Sequence, residues 1–228
     1  MQASIPIMLF AKAPVPGAVK TRLIPTLGAK RAAELAEALA EETIQAALAS
    51  HVGPVSLWGS PDASHPFFRK MKKRYHIELE TQVGGDVGAR MEHALGTCLR
   101  DHPFAILTGT DLLHPAPALY IGAAQALQSG TQATLAPSAD GGYVLIGLSR
   151  VFPTLFREMA WGTDGVCAET LRRLETLGCS VVLLPPQRDL DTPGDYADWS
   201  AVDAPGVDHC CKKCLELRGK GDLTGRLP

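Results

Sequence analysis

The sequence predicts an α/β fold, a three-layer sandwich in which a mixed, mainly parallel β-sheet lies between helices. Three observations lead there. Short apolar runs alternate with segments of helical periodicity through the first two hundred or so residues. Two neighbouring runs, Gln132 to Ser138 and Gly142 to Leu148, meet at the tight Asp140-Gly141-Gly142 turn, so one hairpin interrupts the βα alternation. The chain has 228 residues and 46% hydrophobic content, which suits one good core.

Each element follows from its pattern. Ile5 to Ala11 reads as a buried strand. From Ala29 to Ser50, Ala32, Leu35, Ala36, Leu39, Ile44, Ala47 and Leu48 recur along one helical stripe, completing a βα unit. Val55 to Gly59 is a second strand, Phe67 to Arg74 a short basic helix and Ile77 to Glu80 a brief strand. The next helix, Ala89 to Arg100, turns Met91, Ala94, Leu95 and Cys98 inward, and Phe104 to Thr108 is again a buried strand. Pro115 and Pro117 fit the first turn of a helix from about Ala116 to Gln128. After the hairpin come a helix from Thr163 to Leu177, a strand from Ser180 to Leu184 and a closing helix from Gly194 to Ala201. The expected domain is residues 1–202. Residues 203–228 are rich in charge, glycine and cysteine without a clear period and read as an appended tail.

Composition narrows the function. Lys and Arg number 22 against 24 Asp and Glu, a formal net charge of -2 with no long basic stretch, which argues against a nucleic-acid surface. Apolar runs such as Val181 to Leu184 are far too short to span a bilayer. The N-terminus lacks a basic segment before its apolar run, as a cleaved signal would have, and the cysteines show no secreted disulfide pattern. A cytoplasmic protein is expected, its oligomeric state left open. His209, Cys210, Cys211 and Cys214 in the tail offer soft ligands for an ion such as Zn²⁺, though one cluster without a second Cys/His pair more often belongs to a simple tail.

The segment following the first strand, from Ala11 and Lys12 through Pro14, Pro16 and Gly17 to Lys20-Thr21-Arg22, has the character of a phosphate-handling loop. Prolines and glycine make a stiff turn, and two cations with a hydroxyl follow within three residues. It is not a P-loop, since Val19 stands where glycine is required before Lys-Thr, and it lacks the three glycines of a dinucleotide fingerprint. Cations rather than a nest of amides would meet the phosphates. A solvated basic loop is the ordinary alternative.

Other candidates lie near strand ends or helix starts. Asp111, at the end of Thr108-Gly109-Thr110-Asp111, is placed to hold a hard divalent cation such as Mg²⁺ or Mn²⁺, or simply to cap a helix. Asp191, or Asp189 instead, could complete that site after the last strand, or again cap a helix. Gly84-Gly85-Asp86 runs into a helix start carrying Arg90, where free amides and the guanidinium suit a nucleobase or anion; a tight loop and helix entry explains it equally. Asp140, Gly141, Gly142 and Tyr143 allow close approach of a ligand, or form only a turn. Trp161, if exposed, would stack on a sugar or base, although burial is the commoner fate.

Taken in order over residues 5 to 200, the Phe-Ala-Lys-Ala-Pro-x-Pro-Gly-x-Val-Lys-Thr-Arg-Leu opening, Gly-Gly-Asp-x-Gly-x-Arg-Met, Gly-Thr-Asp, Asp-Gly-Gly-Tyr-x-Leu-Ile-Gly-Leu, Trp-Gly-Thr and Asp-Leu-Asp-Thr-Pro-x-Asp resemble the glycosyltransferase-like proteins related to phospholactate guanylyltransferases. The resemblance implies a nucleotide-diphospho-sugar transferase fold of the GT-A type. It implies Lys20 and Arg22 at the phosphates, Asp111 and Asp191 at a metal, and an acceptor between Asp140 and Trp161. The expected nucleotide site comprises Ala11, Lys12, Gly17, Lys20, Arg22, Gly85, Asp86 and Arg90. The sequence departs from many such enzymes in that Leu112 and Leu113 follow Asp111, so an Asp-x-Asp pair is missing there, and in its proline-rich first loop. The expected activity is Mg²⁺-dependent glycosyl or nucleotidyl transfer from a nucleotide-activated substrate to a small-molecule acceptor. Lys20, Arg22 and Asp140 are the catalytic candidates, Asp140 as general base if a glycosyl group moves. A non-catalytic nucleotide-binding sensor or partner protein on the same fold is the alternative.

Overall fold

A computed structural model describes residues 4–201. The tail from residue 203, with His209, Cys210, Cys211 and Cys214, lies outside the described residues. Seven strands form one sheet in the order β3-β2-β1-β4-β6-β5-β7. They are β1 (Ile7–Lys12), β2 (Val55–Ser60), β3 (Glu78–Thr81), β4 (Ala105–Gly109), β5 (Ala133–Pro137), β6 (Tyr143–Leu148) and β7 (Val181–Leu183). Pairing is parallel except along β6, which runs antiparallel to both β4 and β5. The hairpin expected at Asp140 to Gly142 is therefore what makes the sheet mixed: a tight turn can only reverse the chain, whereas the helical connections from β1 through β5 keep the strands parallel.

Alternation along the strands divides the core into two layers. Ile7, Leu9, Leu57, Ile106 and Leu145 face a layer filled by α1 (Ile24–Ala49), α2 (Pro66–Tyr75) and α4 (Pro117–Gln128). Met8, Trp58, Leu107, Leu135 and Ile146 face the opposite way, against α3 (Val87–Cys98) and α5 (Val166–Thr176). A third cluster joins α1 to α6 (Pro193–Ala201): Leu23, Leu35 and Leu39 pack with Leu190, Tyr196 and Trp199. This cluster seats the first loop against the last, which bears directly on the site.

Several boundaries depart from expectation, and the following bear on the site and its surroundings. The first helix begins at Ile24 rather than Ala29, because Pro25 is tolerated in a first turn and the chain kinks at Gly28, whose φ of 76° suits glycine. Residues Thr21–Leu23, expected as open loop, form a single 3₁₀ turn, and a second spans Pro153–Leu155. Helix α5 starts at Val166, three residues later than expected, since Gly162 has φ +81° and Thr163 turns its hydroxyl back to the Ala160 carbonyl at 2.8 Å.

Candidate functional site

Strand order reverses between β1 and β4, with β2 and β3 on one side of the pair and the later strands on the other. In open α/β sheets the connections leave such a point in opposite directions and open a crevice beyond the carboxyl ends of the strands. A cleft of about 610 Å³ lies there, lined by residues at the end of β1, the turn from Ala18 to Arg22, the start of α3, the end of β4 and Asp191. A depression of about 250 Å³ at the other end of the sheet, around Ser50, His51 and Gln125, is lined by neither carboxylates nor lysines.

Lys20 is the centre of the cleft's polar network. Its side chain is only 3% exposed, and its ammonium donates to the Leu190 carbonyl at 2.7 Å and to Asp111 Oδ1 at 2.5 Å, with Asp191 Oδ1 at 3.9 Å. Its backbone is left-handed, with φ 48° and ψ 42°, a conformation disfavoured for a residue with a side chain and held by these contacts. Arg22, largely exposed, reaches Asp191 Oδ2 at 3.4 Å.

Asp111 and Asp191 meet although β4 lies mid-sheet and β7 at its edge. After β7 the chain runs back across the sheet end: Leu184 N donates to Leu135 O at 2.8 Å and Gln187 N to Pro137 O at 2.8 Å. Leu112 then bridges Asp189, with Leu113 N to Arg188 O at 2.8 Å and Leu190 N to Asp111 O at 3.0 Å. Leu190 is fully buried, so it anchors the segment and leaves Asp191 at the cleft. Asp195 stiffens the turn, its Oδ2 accepting from the amides of Asp191 and Thr192 and from the Thr192 hydroxyl. Burial pushes its carboxyl up, but those hydrogen bonds outweigh it and hold the carboxyl below the usual range.

Of the expected nucleotide residues, Ala11, Lys12, Lys20, Arg22, Asp86 and Arg90 line this cleft; Gly17 and Gly85 flank it in sequence without lining it. Asp86 caps α3 through Ala89 N at 2.7 Å, the ordinary alternative for this residue. Arg90 folds onto Gly84 O and Ser60 Oγ, both at 3.1 Å, so it braces the loop it follows. Two further polar lining residues, Gln82 and Thr110, had no role of their own predicted from sequence. Gln82 donates to Trp58 O at 2.8 Å and Ala11 O at 3.2 Å, tying β3 to the ends of β2 and β1. Thr110 donates to Phe10 O at 3.2 Å. Gln82 follows a strand of a βα unit just as Asp111 does, and the same strand-end rule would have found it.

The expected acceptor residues lie apart from the cleft lining. Asp140 Oδ1 accepts from Gly142 N at 3.1 Å and from the Ser138 hydroxyl, which makes it the organiser of its own turn. Its charge, after burial, pushes the neighbouring Asp189 carboxyl up. Gly141 has φ +85°, and a Cβ there would stand 2.0 Å from Asp164 O; close packing against the approach to α5 demands glycine. Tyr143 and Trp161 pack against the inner cluster, the tyrosine hydroxyl and indole nitrogen both buried. Trp161 therefore departs from the exposed stacking position considered for it, because the sheet face beneath offers its ring apolar contact.

The carboxylates fit a hard divalent ion. Asp111 and Asp191 side chains are 60% and 45% exposed, so they retain open oxygens for a cation such as Mg²⁺, which needs few protein ligands and keeps several waters. Among the described residues no group of three or more His, Cys, Asp or Glu is placed to enclose an ion. Phosphate and water would have to supply the remaining ligands.

This architecture is that of the nucleotide-diphospho-sugar transferases. A structure from Desulfovibrio desulfuricans G20, described as a "putative nucleotide-diphospho-sugar transferase", superposes with a TM-score of 0.86 at 28% identity, covering 95% of each chain. Glucosyl-3-phosphoglycerate synthase from Mycobacterium tuberculosis, solved with Mn²⁺, uridine diphosphate and glucosyl-3-phosphoglycerate, shares the fold at a TM-score of 0.53 and 12% identity over 91% of this chain and 80% of that one. A nucleotidyl transferase from Methanothermobacter does so at 0.52 and 13%, over 86% and 95%. No curated protein matches the sequence. Residues 43–163, more than half of the chain, match the family described as "Uncharacterized protein conserved in bacteria (DUF2064)", and the chain belongs to that family.

Proposed function

We propose that this chain is a transferase acting on a nucleotide-activated substrate bound in the cleft beyond β1 and β4. One observation supports the reading most: Lys12, Lys20, Arg22 and Arg90 converge with Asp111 and Asp191 on a single crevice at the strand-order reversal. The nucleotide lies over the carboxyl ends of β1 to β3, with Ala11 and Asp86 shaping its bed and Gly17 and Gly85 flanking it in sequence, and its phosphates face the cationic edge. A divalent ion held by Asp111 and Asp191 would neutralise phosphate charge. Arg22, largely exposed, meets the phosphates and orients them, and catalysis rests on positioning and charge neutralisation. The acceptor enters from the β5–β6 turn, past Asp140 and Gly142.

Of the two chemistries, nucleotidyl transfer is the better supported. Glycosyl transfer calls for a general base, and one oxygen of its candidate, Asp140, is already taken by Ser138 and Gly142. On this reading a phosphorylated acceptor attacks the α-phosphorus and pyrophosphate leaves, as in the guanylyltransferases the sequence resembles. Among the described residues no helix is long and apolar enough to cross a membrane, which accords with a cytoplasmic enzyme acting on soluble substrates.

Thermal denaturation with nucleoside triphosphates and with UDP- and GDP-sugars, each with and without Mg²⁺ or Mn²⁺, tests the proposal. A ligand at a hundred times its dissociation constant stabilises by about 2.7 kcal/mol, raising the midpoint by roughly 5–10 °C for a chain this size. A metal-dependent rise with triphosphates alone is expected. A rise confined to nucleotide-sugars would turn the assignment to glycosyl transfer, and none with any compound would refute the site.

A further inference from the structure

The ammonium of Lys20 is nearly out of solvent, and its contacts run to the protein rather than into open space: the Leu190 carbonyl, Asp111 Oδ1 and, farther off, Asp191 Oδ1. A lysine waiting for phosphate would keep its donors turned to the cleft. Arg22, by contrast, is 68% exposed, with one contact at 3.4 Å. We propose that Lys20 is a positioning residue, the internal counter-cation of the Asp111–Asp191 pair, and that direct phosphate contact falls to Arg22. This deepens the transferase reading and rests on it.

The physical consequence is a balance of charge at the cleft floor. Lys20 and Arg22 offset Asp111 and Asp191 in the free protein, so an anionic ligand meets no net repulsion there. Without the ammonium, Asp111 would lose its ion pair and Asp191 would keep only that with Arg22 as the phosphates arrive. The ammonium also competes with any divalent ion for the same oxygens. Lys20 thus acts on the nucleotide through the aspartates, and neutralising an aspartate should repair its loss.

The test measures binding of GTP, with UTP in parallel, without divalent ion, to wild type, R22M, K20M and K20M/D111N, together with Mn²⁺ alone by electron paramagnetic resonance. K20M and R22M should each weaken triphosphate binding tenfold or more. K20M/D111N should return to within threefold of wild type, and Mn²⁺ alone should bind K20M several-fold more tightly than wild type. A double variant as weak as K20M would overturn the proposal, because Lys20 would then touch phosphate itself; so would unchanged Mn²⁺ affinity in K20M. Should K20M alone fail to fold, the double variant, which lacks the bare Asp111 carboxylate, decides the question by the same threefold criterion. If wild type binds neither triphosphate without divalent ion, the Mn²⁺ comparison still decides the role of Lys20; if it binds neither with Mg²⁺ present as well, the transferase reading fails by itself.

Discussion

At the scale of single residues, the site region contains positions whose chemistry is set by neighbours far away in sequence. Gly141 looked like a flexible turn residue, yet Asp164 excludes any side chain there and Cys167 N donates to the Gly141 carbonyl at 2.9 Å. Gly141→Ala combines a positive φ with a backbone clash and should cost about 1–3 kcal/mol, measured by denaturant unfolding. Asp189 is half-buried and close to Asp140, and burial first, then that charge, pushes its carboxyl up. A raised carboxyl makes the folded state hold its proton more tightly than the unfolded chain does. Its contribution is thus fully favourable below the ordinary carboxylate range and is lost as pH rises through the folded value. Asp189→Asn should accordingly raise the melting temperature relative to wild type at pH 7, and the difference should vanish near pH 3. Thermal melts across that range would check the sign.

At the scale of elements, the stretch between β6 and α5 is held by side chains that no local pattern reveals. Arg173 donates to the carbonyls of Thr154, Arg157 and Glu158 at 2.5, 2.6 and 2.9 Å, while Glu169 at 2.7 Å orients it from one turn earlier. The side chain is 17% exposed, and replacing it removes three charge-assisted hydrogen bonds that hold this stretch. Arg173→Met should cost about 2–3 kcal/mol and raise amide exchange in residues 153–158 without altering that of β1. The helices and strands themselves were largely legible, because one-sided apolar periodicity survives in any context that buries one face. Their ends were less so. The late start of α5 and the kink at Gly28 depend on tertiary contacts and on backbone angles that periodicity does not encode.

At the scale of the whole molecule, the third cluster closes the structure behind the site, since Tyr196 and Trp199 of α6 pack on the leucines that follow Arg22. We take residues 1–202 as the folding unit and 203–228 as an appendage to it. A chain ending at residue 202 should melt within about 2 °C of the full chain and keep its nucleotide response; a larger loss would place the tail inside the cooperative unit. The sequence by itself determined the α/β class, the single hairpin that makes the sheet mixed, and the chemical inventory of the cleft: Lys12, Lys20 and Arg22 after the first strand and Asp111 and Asp191 after later ones. Those features are local, resting on periodicity, turn chemistry and position at strand ends. Only the tertiary structure decided that Asp111 and Asp191 share the Lys20 ammonium, that Gln82 ties three strands beside them, and that Tyr143 and Trp161 turn inward. These contacts join segments tens to more than a hundred residues apart, the first of them created by the return of the chain across the sheet end, and they are invisible to any local pattern.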